Sequence, residues 1–262
     1  MKNLMVTTAL YVLLSSHSYA SIVVLNGLTH VYSGNAGDRI EGELILMNTT
    51  DLPQQITFKL NDVIFSCETN RFFTDTVSHK QSSLPWFQGS LMDKVLLPKE
   101  QFVYKYSIQI PKDQSLKGTY WSALMIEATK PVKEEQLTTN IQLDTKIRYA
   151  IGLITNVNQK ENVNIDFEAI SLNEDIDTVK SLKIGISNTS LFMEGVQLSL
   201  EIYDSKGFKV GERKSKREMV FPGACQQYEL DISDLEKGEY ECILTADSRK
   251  EFIGTNINLS VQ

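Results

Sequence analysis

Two stretches of this 262-residue chain repeat one pattern, and the repeat limits the possible fold more than any other feature. Leu44 to Leu60 (LILMNTTDLPQQITFKL) is matched by Leu182 to Leu200 (LKIGISNTSLFMEGVQLSL). Leu116 to Ala128 (LKGTYWSALMIEA) is matched by Leu235 to Asp247 (LEKGEYECILTAD). Each half therefore holds a strand, an Asn-Thr turn, a second strand, and a Gly-x-Tyr lead into a late strand. Apolar and polar residues alternate with period two in Ile40 to Met47, Val103 to Ile110, Thr139 to Leu153 and Val196 to Tyr203. Period two rather than 3.6 means strands, and turn clusters such as Pro111 to Gly118 and Asp204 to Gly207 punctuate them. The expectation is an all-β chain of two tandem sandwiches.

Tyr120 follows Gly118, and Tyr240 follows Gly238. A Tyr at the start of a late strand that hydrogen-bonds to the chain just upstream is the corner of immunoglobulin-like sandwiches. Residues 1–20 are set apart: Lys2, an apolar run from Leu4 to Leu14 too short to span a bilayer, and Ser18-Tyr19-Ala20 read as a cleaved signal peptide. Domain 1 is expected over 21–156 and domain 2 over 160–262, with the boundary in the polar stretch Asn156 to Val163. The first half is the longer one, by an insertion placed at about 66–92, and insertions of this kind are often functional. Phe72, Phe73, Trp86 and Phe87 lie there as possible ligand-contacting aromatics.

The rest is exclusion. With 33 acidic against 26 basic residues, the net charge of −7 argues against nucleic acid, whose phosphates call for Lys and Arg. The chain beyond the leader holds two histidines, His30 and His79, no G-x-S-x-G elbow and no C-x2-C pair, so neither a nucleophile–base pair nor a zinc site nor any cofactor is expected. No enzyme is expected. No second apolar segment is long enough to cross a membrane. Of three cysteines, Cys225 and Cys242 share the second half and are a possible disulfide, with Cys67 left as a small buried side chain. The charged run Lys209 to Arg217 reads as a solvated hairpin arm.

Thr139 to Thr155 (TNIQLDTKIRYAIGLIT) is the most suggestive segment. Ile141, Leu143, Thr145, Ile147, Tyr149, Ile151 and Leu153 fall on one face. At ~3.3 Å per residue it would extend ~56 Å, longer than a sandwich is tall. Either it bends or bulges and stays wholly inside its own sheet, or part of it overhangs as an edge, which is a hazard unless its use is controlled; strand donation is one such use.

These residues resemble the periplasmic pilus-assembly chaperones, built of two immunoglobulin-like domains. The likeness rests on Leu44 to Thr49, Leu97-Pro98-Lys99-Glu100, Gly118 to Met125 and Gln142 to Tyr149. It implies a capping strand that completes a subunit's sandwich, with Ile141, Leu143, Thr145 and Ile147 inserting and Lys146 or Arg148 holding a carboxylate. The family's first-strand Arg has no counterpart in Leu28 to Tyr32. A weaker resemblance is to WxL-interacting cell-wall proteins, on Gly37 to Gly42, the Asn-Thr turn and Gly118 to Tyr120; their closing membrane helix and basic tail have no counterpart after Leu259. The first likeness implies a periplasmic or extracellular chaperone-like protein that binds extracytoplasmic subunits. The second implies a cell-envelope adhesion or peptidoglycan-binding module.

Overall fold

The computed structural model describes residues 21–68, 70–129, 146–158, 164–173, 180–248 and 252–261. The expected leader, and 159–163 of the expected boundary, lie outside them. Strands of the first half are Ile22–Val24 (β1), Thr29–Gly34 (β2), Arg39–Asn48 (β3), Gln54–Ser66 (β4), Asn70–Thr74 (β5), Phe87–Gly89 (β6), Lys94–Leu96 (β7), Gln101–Gln109 (β8), Gly118–Thr129 (β9) and Ile147–Val157 (β10). Those of the second are Ile165–Asn173 (β11), Ser181–Asn188 (β12), Glu194–Tyr203 (β13), Lys209–Lys214 (β14), Glu218–Val220 (β15), Cys225–Asp231 (β16), Gly238–Asp247 (β17) and Phe252–Val261 (β18). Among the described residues the one helical element is a 3-10 turn at Leu84–Trp86.

Each half is a β-sandwich. In the first, a sheet ordered β1-β3-β8-β6 faces one ordered β2-β10-β9-β4-β5, with β7 also on β4. In the second, β11-β12-β16 faces β14-β13-β17-β18, with β15 on β13. Alternation explains the layering. Along β13, Val196, Leu198, Leu200 and Ile202 are buried while the residues between them are partly exposed. Two separate apolar cores result, one around Leu44, Tyr104 and Leu124, the other around Ile184, Leu200 and Leu244.

The repeated Asn has the same task in both halves. Asn48 donates from Nδ2 to the carbonyls of Leu52 (2.8 Å) and Leu97 (2.9 Å), and its Oδ1 accepts from the Thr50 N–H (3.0 Å) and hydroxyl (2.8 Å). Asn188 donates to Phe192 (2.8 Å) and Val220 (2.9 Å), and accepts from Ser190 (2.9 and 2.6 Å). Both side chains are buried, so truncation strands several polar groups at once. Asn48→Ala and Asn188→Ala are each expected to cost ~3 kcal/mol, read as a lower urea midpoint; a change near zero in both would show that the turns hold themselves. The Tyr corner of the second half is formed, with Tyr240 donating to the Glu236 carbonyl (2.9 Å), whereas Tyr120 of the first half is buried with its ring against Trp86.

The two sandwiches touch through a third apolar cluster of Val63, Trp121, Ala123, Ile154, Met193 and Phe221. Backbone bonds reinforce it: Thr119 N–H donates to the Leu191 carbonyl (2.8 Å), and Met193 N–H donates to the Thr119 hydroxyl (2.9 Å). Gly118 sits at φ +120, and a Cβ there would run into the Leu191 carbonyl, so this junction requires glycine.

The cysteine expectation needs correction. Cys225 is bonded not to Cys242 but to Cys67, across 158 positions, with Cα atoms 5.0 Å apart. Cys242 is a buried free thiol, its pKa pushed up to about 11 by burial. Cys242 lies on β17 and points into the second core, whereas Cys225 begins β16 in the opposite sheet, partly exposed. The second core separates them. The run at Lys209 is the solvated arm expected: Lys209 and Lys214 pair with Glu212, Arg213 with Asp234, and Arg217 with Asp247.

Candidate partner-binding site

β10 is covered on one side along its whole length and on the other only in part. Antiparallel pairing with β9 runs from Ile147↔Ala128 to Val157↔Gly118. Parallel pairing with β2 begins only at Gly152↔Thr29. The cause lies at the start of the chain. β1 belongs to the opposite sheet, where it pairs with β3, so the chain must cross between sheets before β2 can form. Gly27, at φ +90, permits the crossing, and Asn26 fastens it by donating to Glu43 (2.9 Å) and accepting from Ile45 (2.9 Å). The first N–H of β10 to meet that chain is Gly152, donating to the Leu28 carbonyl (2.8 Å).

Backbone direction alternates along a strand, so Ala150 and Arg148 point their N–H and C=O the same way as Gly152, away from β9. No described strand pairs with them there. The side chains divide by the same parity. Ile147, Tyr149 and Ile151 pack on the first core. Arg148 and Ala150 face outward.

The uncovered edge opens on a groove between the sandwiches. Ala150, Gly152 and Ile154 line it from β10, Leu28 and Thr29 from the crossing, and Glu218, Met219 and Phe221 from the second sandwich. A hairpin made of the end of β4 and β5 forms another wall and supplies Phe65, Arg71 and Phe73. Phe73 and Ala150 also line an adjoining groove with Phe72 and Arg148 over the outer face of the sheet.

Candidate side chains separate accordingly. Ile141, Leu143 and Thr145 lie outside the described residues. Ile147 is half-buried against the core. Lys146 Nζ lies 3.3 Å and Arg148 Nη2 2.7 Å from the two oxygens of Glu127, whose carboxyl is held below the ordinary range first by Arg148 and then by Lys146. Of the four aromatics, Phe72 and Phe73 are exposed along the grooves. Trp86 and Phe87 lie apart from these grooves and pack inward. Trp86 is 6% exposed against Tyr120, and Phe87 packs on Tyr106, because the turn preceding β6 closes the open end of the first core. Arg71 carries no signal in the sequence, because a lone Arg between Asn70 and Phe72 fits no periodic pattern.

One polar cluster lies behind the groove. His79 stacks on Trp121 (4.1 Å between ring centroids), its Nε2 3.4 Å from Oδ1 of buried Asp62, which accepts a bond from the Ser82 hydroxyl (2.6 Å). Burial pushes the imidazole below its ordinary 6.5, and Asp62 offsets part of that. The folded protein therefore binds this proton less well than the unfolded chain, and the stability His79 contributes is present above 6.5 and lost as pH falls below it. His79→Phe is expected to flatten the acid side of the urea-midpoint profile; an unchanged slope would assign that slope to other groups.

Among the described residues, no cluster of three or more His, Cys, Asp or Glu is disposed to hold a metal ion, and no helix is long and apolar enough to cross a membrane. No protein-family model and no curated protein sequence matches the chain. Solved structures of similar fold include the class 5 fimbriae chaperone CfaA, 13% identical with a TM-score of 0.47, the match covering 92% of this chain and 100% of that one. The E. coli chaperone DraB is 12% identical with a TM-score of 0.43, covering 92% and 98%. A chain in a complex of a chaperone and the tip adhesin of CFA/I fimbriae is 13% identical with a TM-score of 0.48, covering 91% and 98%. At these identities the likeness is one of fold, shared by many fimbrial periplasmic chaperones.

Proposed function

We propose that this protein is a non-enzymatic, chaperone-like binder of extracytoplasmic protein subunits, and that it captures them by pairing a partner strand with the uncovered edge of β10. The observation that carries the reading is the half-covered strand itself. Arg148 and Ala150 present a donor and an acceptor each, at the mouth of a groove with apolar walls. An unpaired edge is a template for strand addition, and alternate side-chain pockets then set the register.

The carboxylate-holding role passes from Lys146 and Arg148, already satisfied by Glu127, to Arg71. Arg71 is exposed on the groove wall and has no ion-pair partner among the described residues. The second reading, a module that stacks envelope polymer on aromatics, keeps only Phe72 and Phe73 of its four residues.

The test uses the intact protein as bait for short displayed peptides. Strand pairing expects selected sequences that alternate apolar and polar residues, and binding lost when alternate peptide nitrogens are methylated. Selection of peptides whose binding survives that methylation would refute it, and sedimentation with purified peptidoglycan would then favour the polymer reading.

A further inference from the structure

We propose that the Cys67–Cys225 disulfide is the positioning bond of the capture groove: it pins the β4–β5 hairpin across the two sandwiches, so that Phe73 and Arg71 face the edge of β10. The inference rests on the strand-pairing reading above and adds to it a determinant of partner selectivity. β4 stays in its sheet through Asn61, which pairs with Ala123 of β9. From Asp62 to Ser66 its strand partner is β5 alone. A two-stranded ribbon on its own is marginal in water, so its position must be set from outside.

Three contacts do that. Trp121 Nε1 donates to the Val63 carbonyl (2.8 Å) at the base of the ribbon. Phe65 stacks on Phe221 of the second sandwich, with centroids 4.3 Å apart and planes at 9°. At the far end Cys67, in the turn between β4 and β5, is bonded to Cys225 on β16. Space for the sulfurs is provided by Gly185 of β12, where a Cβ would come within 3.0 Å of Cys67 Sγ and 3.4 Å of Cys225 Sγ. The first two contacts hold the base and middle of the ribbon; the covalent bond holds the tip. Beyond that tip the chain returns as β5, bringing Arg71 and Phe73 to the groove, and Phe73 also lines the adjoining groove with Ala150. The occupant is an extended segment of a partner protein paired with β10. Its outward side chains would meet Phe73, an apolar surface fixed at a set distance from the edge.

The experiment compares the oxidised protein with Cys67→Ser/Cys225→Ser, using as probe a display-selected peptide already shown to need its alternate backbone nitrogens. Both cores lie away from the bond, so the variant is expected to keep its fold and its protected β9–β10 amides. Amides of 62–66 and 70–74 should exchange at least about tenfold faster, and the peptide should bind about tenfold more weakly, chiefly through faster dissociation. Preference between peptides differing only at the position facing Phe73 should shrink, and Phe73→Ala in the oxidised protein should shrink it equally. Unchanged ribbon exchange, or a loosened ribbon with affinity and preference intact, overturns the inference while leaving strand pairing standing. A peptide indifferent to Ala150→Pro instead removes the strand-pairing reading, and this inference with it. If the double variant fails to fold, Phe73→Ala alone decides: undiminished preference overturns the proposal.

Discussion

Ala150→Pro is expected to weaken capture of a strand-pairing peptide by about 100-fold while the protein stays folded. The position separates binding from stability because its N–H points away from β9. Proline there removes no bond of the β9–β10 ladder, as it would at Ile151, whose direction is the opposite one. Tyr149, the residue before it, is already extended, as a residue preceding proline prefers to be. What proline takes away is a donor offered to the visitor, and its ring stands where the neighbouring backbone must approach. A lost ladder bond together with the ring clash is worth ~3 kcal/mol, which sets the hundredfold scale. Binding would be measured by peptide titration and folding by thermal melting. Full affinity in a folded Ala150→Pro protein would mean that the partner docks elsewhere.

Trp121→Ala is expected to be the most destabilising single change, at ~4 kcal/mol. The indole is 5% exposed, stacks on His79, lies 4.8 Å from Phe221 between centroids, and satisfies the Val63 carbonyl. Its removal leaves a large cavity and an unpaired buried acceptor together. Because it sits in the apolar cluster between the sandwiches, its loss should also reduce their coupling, so that one calorimetric transition divides into two. A single transition at the original temperature would place the coupling in the disulfide and the Thr119–Leu191 bonds alone.

Much of the framework is legible in the residues. Asn48 and Asn188, met as a repeated Asn-Thr, carry equivalent sets of buried hydrogen bonds, and Tyr240 makes the corner its Gly-x-Tyr setting implied. Such motifs are local: donor, acceptor and turn lie within a few positions, so spacing reports geometry. Cys242 carried a usable signal as well. It shares parity with Leu244 and Ala246, so alternation alone assigns it to the core and away from Cys225. Trp86 and Phe87 carried none, because whether an aromatic in an insertion packs inward depends on which open end of a core the insertion covers.

The candidate site divides along the same line. The sequence places one strand over Thr139 to Thr155; within the described residues it runs from Ile147 to Val157, and Ile147, Tyr149 and Ile151 obey period two with their side chains on the core. That the strand is bare only before Gly152 follows from where a distant segment, residues 25–28, changes sheets. The pairing of Cys67 with Cys225, and with it the position of Arg71 and Phe73, likewise depends on how two sandwiches meet.

From the order of its residues alone, this chain determines two all-β units, their inward and outward faces, and the turns and Tyr corner that close them, since each of those follows from period-two burial or from bonds a few residues long. Only the tertiary structure decides which edge is left bare and what faces it. Neighbours across a sheet or a domain junction are set by contacts between segments up to 158 positions apart, and no local periodicity records them.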